Sequence, residues 1–105
     1  MNIYYSPEEF LLTTIGEIDF SDGCYCFDLT VVWKRADGKF VYADDAGCSC
    51  PSPFEDTTPA DLTVAGPAEI QAHLEARASE GDDYSHERDR WAMQIANLMA
   101  RVVAS

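Results

Sequence analysis

Basic residues are scarce. The 105-residue chain carries 7 Lys and Arg against 19 Asp and Glu, a formal net charge of -12. A surface of that sign repels phosphate backbones, because nucleic-acid affinity comes largely from cationic side chains that displace counterions. Direct DNA or RNA binding is therefore not expected. Long apolar runs are missing too, and none approaches the ~18 residues a membrane-spanning helix needs. The opening MNIYYSPEEF has neither the basic nor the apolar stretch of a signal peptide, which gives a cytoplasmic expectation. The 6 glycines form no phosphate-binding loop. No Ser or Cys sits in a nucleophile elbow, and no acidic spacing matches an EF-hand. Two histidines, His73 and His86, fall on predicted helices or at their starts, and no motif pairs His86 with Cys48 or Cys50. These absences point away from an enzyme, and no cofactor is expected.

What is present suffices for one folded domain over 1–105: 47% of residues are hydrophobic and 11% aromatic, too many for a disordered acidic tail. The charge is uneven. Residues 1–33 and 40–76 hold no Lys or Arg, whereas from residue 84 onward Arg88, Arg90 and Arg101 outnumber Glu87 and Asp89. Basic partners are the electrostatically favoured class.

The pattern predicts an α+β fold. Ser6-Pro7-Glu8-Glu9 starts a short N-terminal helix through a capping box with Pro at its first position. Asp22-Gly23 and Asp37-Gly38 lie between alternating apolar runs and predict hairpins. The result is a three-stranded antiparallel meander over about 13–20, 24–35 and 39–45. Read as two-residue turns, they set Ile18 opposite Phe27, Gly16 opposite Leu29 and Trp33 opposite Tyr42. Both registers then place Tyr25, Phe27, Leu29, Val31 and Trp33 on one buried face. The opposite face carries Glu17, Asp19, Cys24, Cys26, Asp28, Thr30 and Val32 with Val41 and Ala43, and is expected to be solvated. Residues 47–61 read as a long loop, Thr58-Pro59-Ala60-Asp61 as one helical turn and Leu62-Thr63-Val64 as a short extended piece. Two C-terminal helices follow, at about 67–79 and 84–103, packed on the aromatic sheet face. Trp91, Ile95, Leu98 and Val102 supply the second helix's core stripe, which Met93, Met99 and Val103 widen.

The cysteines come as Cys24-x-Cys26 and Cys48-x-Cys50. Four thiolates would bind zinc tetrahedrally, but structural sites space each pair by two or more residues on a knuckle. The register set by a two-residue turn puts Ser49 across from Cys26, with Cys48 and Cys50 pointing the other way, and only a bulge at Gly47 would unite the pairs. Disulfides are a further alternative, disfavoured in a reducing cytosol; free thiols are the default, and no metal is expected. The acidic residues Glu17, Asp19, Asp28, Asp44 and Asp45, with an exposed Phe54 in the CSCPSPFED loop, are the candidate partner-binding residues.

The stretches DFSDGCYCFDLTVVW (19–33) and YADDAGCSCPSPFED (42–56) resemble small proteins of unassigned function encoded by bacteriophages of actinobacteria, whose hallmark is a similar GCSCPSPFED segment. The likeness covers roughly residues 3–62 and implies a viral protein acting in the cytoplasm of an infected bacterium, outside the virion. It brings no reaction or ligand. Together these readings give a small acidic non-catalytic phage accessory protein, monomeric or homodimeric, that binds a host or phage protein. The alternatives are a nucleic-acid mimic that inhibits a DNA-handling host protein, and a small zinc or thiol protein built on the two Cys-x-Cys pairs.

Overall fold

The computed structural model describes residues 3–20, 26–48, 54, 57–79 and 85–105. The strands are β1 (Leu12–Asp19), β2 (Cys26–Arg35), β3 (Phe40–Cys48) and β4 (Thr63–Ala65), followed by helices α1 (Pro67–Ser79) and α2 (Ser85–Ala104). The fold is α+β with an antiparallel sheet and two helices, but the sheet has four strands in the order β1-β2-β3-β4 rather than three. The extended piece after the loop is the fourth: it pairs Thr63 with Tyr42 and Ala65 with Phe40, covering the free edge of β3. The N-terminal helix shrinks to a single 3-10 turn, Pro7–Phe10, in which Ser6 makes no side-chain cap. Leu11, at φ 61, ends the turn and lets β1 begin at Leu12.

Both hairpin registers differ from the expected ones. At Asp37-Gly38 the loop holds three residues, not two. The Gly38 N–H donates to the Arg35 carbonyl at 3.0 Å and the Arg35 N–H to the Lys39 carbonyl at 2.7 Å, with Gly38 at φ 89. This is a type I turn closed by a left-handed glycine. Asp37 helps select it, because one carboxylate takes the Arg35 guanidinium at 2.6 Å and the Lys39 N–H at 3.1 Å. The Arg35 side-chain bond and then the Lys39 N–H hold the Asp37 carboxyl down at about 2. Trp33 therefore opposes Val41, and Val32 opposes Tyr42. Across β1, Ile18 pairs with Thr30, Gly16 with Val32, Glu17 with Val31 and Asp19 with Leu29. The Asp22-Gly23 turn itself lies outside the described residues.

A slip of one position swaps the two faces of a strand, and the consequence is large. The helices meet the side of β2 expected to be solvated, but Ile18 of β1 and Tyr42 of β3, which the expected registers set opposite Phe27 and Trp33 on the buried face, stay on the helix side. Ile18, Phe20 and Val32 join Ile70 and Leu74 of α1 and Trp91, Ile95, Leu98, Met99 and Val102 of α2 in one core. The aromatic side of β2 is buried as expected, but not by helices: Leu29, Val31 and Trp33, joined by Val41 from the side of β3 expected to be solvated, lie under Ile3, Leu12 and Phe54, with Phe10 and Leu62 alongside. The run Leu29–Trp33 is thus buried on both sides, which is why it reads as nearly continuous apolar sequence. Gly16 lies under α2, where a Cβ would sit 2.6 Å from Leu98 Cδ1 and displace the tip of that side chain.

Candidate functional site

The register brings a polar network into the seam between α1 and the sheet. Asp28 and Thr30 stand on β2, Asp44 on β3 directly opposite Thr30, and His73 and Arg77 one turn apart on α1. Thr30, fully buried, donates its hydroxyl proton to Asp44 and accepts from Arg77 Nε at 3.3 Å. The Arg77 guanidinium also pairs with Asp28, approaches Asp44 at 3.7 Å and lies 5.0 Å from the centre of the Phe20 ring. His73 Nε2 sits 3.0 and 2.8 Å from the two Asp44 carboxylate oxygens, its ring 4.3 Å from that of Tyr42. With only 17% of its side chain exposed, Arg77 is held between two carboxylates, so this network clamps α1 onto β2 and β3. A histidine beside a carboxylate has the elements of an acid–base pair; the Thr30 hydroxyl that donates to the same carboxylate is fully buried.

The candidate partner-binding residues prove to be engaged within the fold. Asp28 and Asp44 belong to the network. Asp45 accepts the Phe54 N–H at 2.6 Å and the Ala46 N–H at 3.0 Å. Glu17 accepts the Tyr4 hydroxyl at 2.8 and 2.7 Å. Burial, and then this bond to Glu17, push the Tyr4 phenol well above its ordinary range. Asp19 accepts the Asp28 N–H at 3.2 Å. Phe54, expected to be exposed, is 1% exposed; it stacks on Tyr4 and meets Trp33 edge-on, so the loop turns its aromatic side chain inward. Of the zinc candidates, Cys24 and Cys50 lie outside the described residues, and the backbone sets Cys26 opposite Cys48 rather than Ser49, because the three-residue loop shifts the ladder by one. Among the described residues no group of three or more His, Cys, Asp or Glu gathers to hold a metal, and no helix is long and apolar enough to cross a membrane.

Sequence reasoning missed the roles of His73, Arg77 and Thr30. The spacing of His73 and Arg77 is visible in the chain, but their partners emerge only once the sheet register is known.

The second feature is an open groove of about 550 Å³ between α1 and α2, with Ala78, Ala92, Ile95, Ala96 and Met99 along it and Glu75 at its rim. Gln71 donates to Glu75 at 3.1 Å. On α2, Met93 and Val103 are 68% and 75% exposed. Residues 91–100 contain no charged side chain. A family of small domains, described as a domain of unknown function (DUF7574), matches residues 1–105. The chain belongs to that family. No curated protein and no solved structure matches it. DUF7574 membership accounts for the whole chain, including the helical tail that forms the groove, and assigns it no activity.

Proposed function

We propose that the protein is a small acidic, non-catalytic accessory protein that binds another protein through the groove between α1 and α2. The observation that carries this reading is a mainly apolar groove, with Gln71 and Glu75 its polar lining and Met93 and Val103 exposed on α2, in a chain of net charge -12. Its occupant is an amphipathic helix of a basic protein. The helix's apolar side chains enter between Ala92, Ala96 and Ala78, and its flanking Lys and Arg face Glu75. Adaptable Met93 and Met99 suit that role. The likeness to actinobacteriophage proteins supports a setting in the cytoplasm of an infected bacterium, with a host or phage protein as partner. Nucleic-acid mimicry draws less support, because Glu17, Asp19, Asp28, Asp44 and Asp45 already accept hydrogen bonds inside the fold.

Ala96 is exposed, so Ala96→Glu leaves the core intact and adds a negative charge to the groove. A purely electrostatic attachment to the acidic surface would hold or tighten in this variant, whereas groove docking weakens about tenfold, roughly 1.4 kcal/mol. The expected result, in capture from nuclease-treated actinobacterial lysate, is a basic protein held by the wild type and by Glu8→Lys but lost with Ala96→Glu. Capture that ignores Ala96→Glu overturns the groove as the site. Sedimentation showing a dimer that Ala96→Glu dissociates would make the occupant a second copy instead.

A further inference from the structure

The β2–β3 ladder runs without a bulge from Lys34 opposite Phe40 to Cys26 opposite Cys48, the last residues of their strands at the open end of the hairpin. The Arg35 N–H donates to the Lys39 carbonyl, so that pair is hydrogen-bonded. Hydrogen-bonded and non-hydrogen-bonded pairs alternate along an antiparallel ladder. Every even-numbered position of β2 therefore stands in a non-hydrogen-bonded pair toward β3, where opposed Cα atoms are about 4.5 Å apart. Thr30 and Asp44, another such pair, show the effect: the hydroxyl reaches the carboxylate directly across the strands. Cys26 and Cys48 occupy the same kind of position. A disulfide spans Cα separations of roughly 4.4–6.8 Å, so this pair lies within reach. Two thiolates alone are too few for a tetrahedral zinc site.

We propose that Cys26 and Cys48 form a dithiol site that a low-molecular-weight disulfide closes into a cross-strand bond. One cysteine thiolate attacks a sulfur of the external disulfide and expels a thiolate. The other then attacks the resulting mixed disulfide and expels the second. Two electrons pass from the protein thiols to the external disulfide, and their two protons leave with the released thiols. The closed bond staples the ladder two residues from Asp28, the carboxylate that pairs with Arg77 of α1. This site is independent of the groove.

The variant Cys24→Ser, Cys50→Ser keeps only Cys26 and Cys48 of the 4 cysteines. Incubated with oxidised glutathione at mildly alkaline pH, it is expected to lose two hydrogens by intact mass. It should melt about 10 °C higher and revert with dithiothreitol. Adding Cys48→Ser should halt the reaction at one glutathione adduct. In the unaltered chain, peptide mapping should find Cys26–Cys48 as the first bond to form, which keeps the test valid if the serine variant folds poorly. Two glutathione adducts per chain, thiols that stay unmodified, a closed bond that leaves the melting temperature unchanged, or another pair closing first would each overturn the site.

Discussion

Phe54→Ala should lower stability by about 3–4 kcal/mol, the range for removing a fully buried phenylalanine. The ring is sandwiched in the core opposite the helices, 5.8 Å from the Tyr4 ring and 5.6 Å from that of Trp33. Its backbone sits at φ 59, a left-handed conformation that costs a residue other than glycine roughly 1 kcal/mol. Burial of the ring and the N–H bond to Asp45 offset that cost. Losing the ring removes the cover over Trp33, so tryptophan emission should also shift to the red. Urea denaturation measures the first effect and fluorescence the second. A loss below 1 kcal/mol, the size expected of a surface residue, would show that Phe54 does not cap this core.

Val32→Asp should be worse. Val32 is fully buried in the core between sheet and helices, beside Ile18, Leu74 and Trp91. An unpaired carboxylate there costs several kcal/mol, which consumes most of the stability of a domain this small. Far-UV circular dichroism should show a largely unfolded chain at neutral pH. Had Val32 stood on a solvated face, as two-residue turns require, the same substitution would be nearly silent. Retention of a cooperative transition close to the wild type would contradict the placement of the helices.

Much of the fold was legible in the sequence because local signals specify it. The helix at Pro67–Ser79 appears where Gly66-Pro67 and the Ile70, Leu74 spacing put it, and α2 follows the stripe from Trp91 to Val102. The three long strands fall within a few residues of their expected bounds. What local signals do not carry is loop length. Asp37-Gly38 serves a two-residue or a three-residue turn equally well, and the choice rests on Asp37 gripping both Arg35 and the Lys39 N–H. That choice decides which side of β2 shares a face with Phe40 and Tyr42 of β3. Alternation along β2 offers no correction, since Leu29 and Val31 on one side and Val32 on the other are all buried.

The candidate site divides in the same way. Met93, Met99 and Val103 stood out as apolar residues beyond the core stripe, and Met93 and Val103 are exposed on α2 while Met99 lines the groove. The acidic residues were visible as charge, but their partners were not. Arg77 and His73 reach Asp28 and Asp44 from 49 and 29 residues away in sequence, and only the folded sheet brings them together. Phe54 follows a Pro-rich stretch that looks like surface, and the contact that draws it inward, to Asp45, depends on the same β3 geometry.

One register underlies the helix placement, the Arg77 clamp, the Cys26–Cys48 pair and the groove left free for a partner. Non-hydrogen-bonded pairs bring opposed Hα atoms closest together, so a nuclear Overhauser spectrum of the labelled protein reads it directly. The account predicts strong Hα–Hα cross-peaks between Thr30 and Asp44 and between Val32 and Tyr42. Cross-peaks between Trp33 and Tyr42 instead would restore the two-residue turn and contradict it.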